Sequence, residues 1–398
     1  MKNLIKTFIL LLVLGLGLVG YVYYEQKQLE NSEIQSFEVN FNGVQIEFLD
    51  LQMHKPILGT LWTLNYYVHQ DGFSDLDSDQ MRNTFKVDPR ALVSIKDDTG
   101  LELPYQEELI LGPGRYQINV SIVEGIAQYD YLFYVEVDPK PIINLSDLSP
   151  SQGGLVLVDI ENVSKHTDIE VISNFKPSAI FRTEYSAHFY LPMAYQSEAK
   201  NYGLQIVVGD ERYDYALDVQ TYAFKESHFT VPVSVSSGTV GNQDAVKQYR
   251  DAIYPTYLSY VEEVYWKGPF VLPVQGARVS STFGEKRFVN NATRPTRHSG
   301  IDYAIACGTD VVASNAGVVE FADFLIMIGN TIIIDHGLGL KTYYEHMEDI
   351  IIKAGDLVEK GQLIGHVGTT GYSTGCHLHF QAMVKNQSIN PEQLYTLE

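Results

Sequence analysis

Cysteine is scarce: there are two in 398 residues, too few for a disulfide framework. Basic residues are few as well, 28 Lys and Arg against 49 Asp and Glu, for a net charge of −21. A chain this acidic repels phosphate backbones, so nucleic acid is excluded as the expected partner. There is no HExxH helix motif, no CxxC pair and no phosphate-binding Gly-rich loop. Low hydrophobicity is not among the deficits. Hydrophobic residues make up 45% and charged residues 19%, a globular composition that excludes wholesale disorder.

Long apolar runs are also missing, with one exception. Residues 7–24 read TFILLLVLGLGLVGYVYY and carry no charge, behind Lys2 and Lys6. Eighteen residues is about the least that crosses ~30 Å of hydrocarbon as a helix. The basic flank precedes the run, which predicts a cytoplasmic N-terminus and an outer interface at Tyr21, Tyr23 and Tyr24. A cleaved signal peptide needs a small-x-small site. The nearest triplet, Leu18-Val19-Gly20, has leucine at its first position. The expectation is an uncleaved, single-pass membrane-anchor helix and tether over 1–33. The rest of the chain then lies outside the cytoplasm, on the periplasmic or cell-wall side.

What is abundant points to strands. There are 27 Tyr and 18 Phe, residue types that fit a pleated, half-buried surface. From residue 37, FEVNFNGVQIEF reads as a hairpin turning at Asn42-Gly43. Strand-like runs follow at 61–68, 116–123 and 129–137, and Pro139 and Pro141 then interrupt the pattern. A β-sandwich-like module is expected over 34–140. A second is expected over 141–235, with a buried-strand run at 155–158. Its runs at 202–208 and 213–219 flank a turn signal at Gly209-Asp210. Residues 236–270 read as a short helical linker, helix-like from Asp244 to Trp266, with Pro255 breaking it. Beyond it, 271–398 alternates short strands with glycines, a tightly turned β domain. That segment holds nine basic and thirteen acidic residues, and residues 1–33 balance, so the acidity belongs to the modules between.

Six of the eleven histidines fall between 298 and 379. Residues 298–302, HSGID, pair the imidazole of His298 with the carboxylate of Asp302. His377-Leu378-His379 lies in a strand-like run, so its two imidazoles face one side. A lone His-x-His on a strand is usually packing. Together with the upstream pair it supplies the nitrogen and oxygen donors of a catalytic zinc that keeps one position open. Such a metal lowers the pKa of its water to about 7 and polarises a carbonyl, and a neighbouring imidazole can serve as general base.

Several stretches then agree in order: HSGIDYA (298–304), CGTDVVASNAG (307–317), GNTIIIDHG (329–337), TYYEH (342–346) and GTTGYSTGCHLHF (368–380). Together they resemble the M23 peptidases, the lysostaphin-like zinc endopeptidases that cut peptidoglycan peptides, over about 270–395. The resemblance implies a small antiparallel β-sheet core over 271–398 with its site in a groove between loops. It implies one zinc per domain held by His298, Asp302 and His379. His346 and His377 match the two non-ligand histidines that position water and stabilise the oxyanion. The implied activity is zinc-dependent cleavage of peptide bonds in peptidoglycan. The alternative is a catalytically silent or latent envelope scaffold that uses the fold, and the acidic modules, to bind another envelope protein. The sequence departs from relatives at Gln381, where Glu is common, and at Cys376, where Pro or Asn is common. Cys307 and Cys376 both fall in this domain. In an exported protein a disulfide buttressing the site is expected, with free thiols or metal ligation as alternatives.

Other signals carry less. Gly371-Tyr372-Ser373-Thr374-Gly375 matches the G-x-S-x-G nucleophile elbow, but that elbow needs a following helix and the order Ser, acid, His. A strand-like segment follows instead. The hairpin-like stretch 355–365 resembles biotinyl and lipoyl carriers at the level of fold only. His336 reads as structural, Tyr344 as one wall of the groove, and Asn290 and Asn291 as loop residues that alternatively cap the metal in a latent form.

Overall fold

The computed structural model describes residues 2–30, 37–47, 49–57, 62–69 and 74–397. Beyond an N-terminal helix, Lys2–Glu30, the chain is mostly strand and forms two compact units, Met1–Lys140 and Pro141–Glu398. Among the described residues no helix is long and apolar enough to cross a membrane. Side chains at 7, 8 and 10, within the run expected to be an anchor, lie outside the described residues.

In the first unit a four-stranded and a seven-stranded sheet share one core. The hairpin Gly114–Glu124 with Ala127–Val137 alternates buried and part-exposed residues almost without exception, the period-2 pattern of a sheet with one covered face. Phe41, Phe85 and Phe133 meet across that core, each contributing about 1.5–3 kcal/mol by its burial. The expected first hairpin is present. Phe41 pairs with Val44 across Asn42 and Gly43, both at positive φ (49° and 85°), the turn that Asn-Gly favours.

The second unit begins with another pair of sheets, four- and three-stranded, around a core that includes Val158, Phe189, Leu204 and Ile206. Glu226–Phe229 leaves that arrangement and pairs in parallel with Lys286–Val289. The helix that follows runs Gln243–Ile253, not to Trp266 as the sequence suggested. Asn242 caps its start through Asp244 N (2.9 Å), and Pro255 in the succeeding 3-10 turn, Tyr254–Tyr257, cannot continue an α-helical ladder.

The last part is built on an eight-stranded antiparallel sheet. Its order is Arg278–Ser281, Ile301–Ala304, His377–Val384, Leu340–Met347, Gly329–Asp335, Gly317–Leu325 and Leu357–Val358, with Gln387–Ile389 on the side. Leu340–Met347 is buried at every position, so both faces of the sheet are covered there. One face carries Tyr344, Leu378 and Phe380 into the main core. On the other, Tyr343 and Met383 pack against Ile253 and Tyr257 of the helical linker. Lys341, wholly buried, ties that linker down. Its ammonium pairs with Glu320 (2.5 Å) and donates to the carbonyls of Thr256 and Ser259. The linker covers only part of this face. Beyond its end the same face is open, and the histidines stand there.

Candidate metal centre

Strand register fixes the site. Asp302 lies opposite His379, and His379 opposite Glu345, across three neighbouring strands. Directly opposed residues share a face, so these three side chains converge. His298 arrives from the turn before Ile301–Ala304. The three side chains expected as ligands are brought together. His298 Nε2 lies 3.0 Å from Asp302 Oδ1 and 2.9 Å from His379 Nδ1, and His379 Nδ1 lies 2.8 Å from Asp302 Oδ1. All three residues are buried.

Two of the three donors are held from behind. His298 Nδ1 donates to the Thr282 carbonyl at 2.9 Å, which leaves Nε2 as the lone-pair nitrogen facing the cluster. The guanidinium of Arg287 bonds Asp302 Oδ2 and donates to Ser281 Oγ at 2.7 Å. Ser281 in turn donates to Glu285 at 2.8 Å. Burial pushes the His298 imidazole down to about 4, so it is neutral at pH 7. Burial acts to raise the Asp302 carboxyl, but His298 and His379 hold it well below the usual carboxylate range. A neutral imidazole and an ionised carboxylate with converging lone pairs are the forms a cation requires. Burial opposes protonation of His379, yet the charges of Glu345 and Asp302 raise its pKa. That negative field suits a divalent cation equally well.

The donor set fits zinc. Two imidazole nitrogens and one carboxylate oxygen leave a fourth tetrahedral position. Bonds of about 2.0–2.1 Å imply donor–donor edges of about 3.3 Å, a few tenths wider than the edges observed. The residues therefore need only part slightly, and no backbone need move.

The two further histidines flank this cluster. His346 and His377 rings are 4.9 Å apart, and His346 stands 6.1 Å from the His379 ring. His377 Nε2 is 3.9 Å from Asp302 Oδ1. Both rings are oriented alike. His346 Nδ1 donates to the Thr370 carbonyl and His377 Nδ1 to the Gly375 carbonyl, each at 2.8 Å. Both Nε2 atoms are thus left to face the groove. Burial, and then the neighbouring His377 and His379, push His346 down to about 3.

His346 would point the wrong way on a regular strand, since Tyr344 two residues earlier faces the core. A bulge corrects this. Pairing shifts between Asn330 and Ile332, and His346 takes φ +65°. Left-handed backbone is uncommon for residues other than glycine, and a bulge re-aims the side chain that follows it. Glu345 and His346 consequently both line the groove.

The groove encloses about 570 Å³ and runs past Arg278, Arg297, Met327, Tyr372 and all five expected site residues. One of its walls comes from the segment before the sheet, through Phe229, Val231 and Val240. The loop carrying His377 is tied to the neighbouring loop by a disulfide, Cys307–Cys376. The expected disulfide is therefore present, and both thiols are accounted for.

One expectation is corrected, and the alternatives left open elsewhere are closed. Tyr344 is fully buried and accepts a hydrogen bond from Ser314 N at 2.8 Å, so it is core and not groove wall. Asn290 and Asn291 do not cap the cluster. Both sit at positive φ in a turn, and Asn290 Oδ1 accepts from Val231 N at 2.8 Å. His336 is structural, as expected, held between the Ala316 carbonyl (2.7 Å) and the Thr342 hydroxyl (2.8 Å). Ser373 precedes the strand His377–Val384 and not a helix, so the nucleophile elbow is excluded. Arg287, Glu345 and the Thr282 carbonyl were not foreseen. Only the adjacency of Glu345 to His346 offered any signal for them.

Known proteins resemble this part of the chain. Residues 296–391 match Peptidase family M23, so the chain carries a domain of that family there. Over 126 residues it is 40% identical to DD-carboxypeptidase/endopeptidase Mpg of Neisseria meningitidis, covering 31% of this chain and 29% of that protein. Over 113 residues it is 38% identical to peptidoglycan DD-endopeptidase ShyA of Vibrio cholerae, covering 28% of this chain and 26% of that protein. The chain thus spans under a third of the length of these curated relatives. Among solved structures, a putative peptidase M23 from Pseudomonas aeruginosa aligns with 63% of this chain and 96% of its own, at 19% identity and a TM-score of 0.46.

Proposed function

We propose that the domain is a zinc-dependent endopeptidase acting on the peptides of peptidoglycan. The observation that carries this is the convergence of His298, Asp302 and His379, with His346 and His377 beside them, at the floor of an open groove. The match to Peptidase family M23, and relatives described as peptidoglycan DD-endopeptidases, support the substrate class.

His298 Nε2, Asp302 Oδ1 and His379 Nδ1 would hold the metal. Zinc bound there supplies Lewis acidity, bringing a water pKa to about 7 and polarising the scissile carbonyl. The chain's own residues do the rest. The Thr370 carbonyl fixes His346 with its proton on Nδ1, so Nε2 is a base aimed into the groove. Burial keeps that ring neutral at pH 7, the state needed to take a proton from the attacking water. His377 is more open, its side chain 18% exposed. It faces the same space, where its Nε2 is placed to support the developing oxyanion. Arg287 holds the Asp302 carboxylate in orientation from behind.

Residues 7–24 would anchor the protein in the membrane, with the peptidase outside the cytoplasm. The eighteen-residue uncharged run behind two lysines supports this. Leu11, Leu12, Val13 and Leu14 each leave half or more of their surface exposed on the helix, as a lipid-facing segment does.

The test is digestion of purified peptidoglycan by residues 25–398, with products read by mass spectrometry. Peptide-cleaved fragments that disappear with chelator and return with zinc are expected. Intact peptidoglycan after incubation with folded, zinc-loaded protein would overturn the proposal.

A further inference from the structure

Three arginines line the groove: Arg278, Arg287 and Arg297. Two are engaged within the protein. Arg287 bonds Asp302 and Ser281. Arg297 donates to the Gly284 carbonyl at 2.9 Å and lies over the ring of Phe224, 5.0 Å from its centroid. Arg278 differs. It is exposed, and it has no ion pair, hydrogen bond or ring contact with any described residue. Of the three arginines lining the groove, Arg278 alone is thus left without a side-chain partner among the described residues.

The sheet aims it. Arg278 lies opposite Ala304, and Ala304 opposite His377, so the three form a row across neighbouring strands. The parallel row two residues along is Ser281, Asp302 and His379. A register shift between Val279 and Ser281 makes this possible. Three residues on the edge strand span the two-residue step from Ala304 to Asp302, so both Arg278 and Ser281 face the groove. Strands are about 4.8 Å apart, which puts Arg278 about 10 Å from His377 along the groove floor. The small side chain of Ala304 leaves the floor between them low.

We infer that Arg278 is a specificity-determining residue that binds a free carboxylate on the substrate peptide. An extended peptide advances about 3.3 Å per residue. The carboxylate recognised would therefore sit about two to three residues from the scissile bond. Guanidinium pairs with carboxylate through two parallel N–H···O bonds, a geometry lysine cannot reproduce. The inference rests on the peptidase reading and specifies its substrate: a stem or cross-link peptide with its carboxylates free, in preference to one in which they are amidated.

The test uses two purified cross-linked muropeptide dimers, one with free stem carboxylates and one with these amidated. Full-length zinc-loaded protein, Arg278→Gln and Arg278→Lys are compared by steady-state kinetics. The wild type should prefer the free-carboxylate dimer. Arg278→Gln should raise KM for that dimer about tenfold, leave kcat within about twofold, and leave the amidated dimer unaffected. Arg278→Lys should recover part of the loss. An equal effect of Arg278→Gln on both dimers, or an unchanged KM, would overturn the assignment while leaving the peptidase reading in place. Cleavage of neither dimer by the wild type would overturn both.

Discussion

Arg287 bonds the oxygen of Asp302 that faces away from the two imidazoles, Oδ2, while Oδ1 approaches both rings within 3.0 Å. One carboxylate thus serves two masters of opposite kind, a fixed cation behind and the donor cluster in front. The same guanidinium reaches Ser281 at 2.7 Å, so Arg287 also joins the two strands beneath the site.

Arg287→Met should therefore weaken zinc binding. Groups that orient a ligand from behind typically contribute about 10–100-fold in metal affinity. Zinc competition against a chromophoric chelator measures this directly. Arg287→Lys should recover only part of the affinity, because an ammonium cannot span Asp302 and Ser281 as the planar fork does. Unchanged affinity in Arg287→Met would show that Asp302 needs no such support.

The two flanking histidines should separate binding from chemistry. His298→Ala removes a donor and should abolish zinc binding. His346→Ala and His377→Ala should keep the metal, since neither ring nitrogen belongs to the cluster of three. Each should lower kcat by two to three orders of magnitude, the usual effect of losing one such group, about 2.7–4 kcal/mol. Metal content by emission spectroscopy, paired with peptidoglycan turnover, decides it. An empty site in His377→Ala would reassign the two histidines of His377-Leu378-His379.

Much of this site was legible in the sequence, and the reasons are physical. Alternation in a strand puts His377 and His379 on one face, and Asp302 needs only the register of its neighbour to join them. The Asn42-Gly43 hairpin and the end of the helix near Pro255 follow from local backbone chemistry. What escaped notice depends on contacts distant in sequence. Tyr344 and His346 are two residues apart, so simple alternation gives them the same face. The bulge at His346 separates them, one into the core and one into the groove, and no local residue type announces a bulge whose left-handed position is a histidine. Arg287 was silent for a similar reason. Its partner is fifteen residues away, and only the fold of the intervening turn brings them together.

The disulfide makes its own prediction. Cys376 sits between Gly375, whose carbonyl orients His377, and His377 itself. The bond to Cys307 should therefore act by holding that carbonyl in place, not by holding the metal. The double variant Cys307→Ser, Cys376→Ser should retain zinc, with kcat falling more than KM rises. Reduction of the wild type by a non-chelating phosphine should have the same effect, reversed on reoxidation. Activity indifferent to both treatments would show that the loop is held by its other contacts alone.

His336 should make the fold sensitive to acid. The ring is completely buried, with Nδ1–H donated to the Ala316 carbonyl and Nε2 accepting from the Thr342 hydroxyl. Burial depresses its pKa from 6.5 to about 4. The unfolded chain therefore binds a proton between those values that the folded chain refuses. By linkage, the stabilisation is fully present above about pH 6.5 and is lost as pH falls toward 4. At 1.36 kcal/mol per unit, the loss amounts to about 3 kcal/mol. His336→Gln retains a donor and an acceptor but cannot titrate. The variant should be less stable than the wild type at pH 7, because its amide fits the site less well, and the gap should narrow or reverse by pH 4.5. Denaturant unfolding of both proteins across that range provides the comparison, and the metal-site histidines, common to both, cancel in the difference. Stability curves that stay parallel from pH 7 to 4.5 would mean that protonation of His336 is not coupled to unfolding.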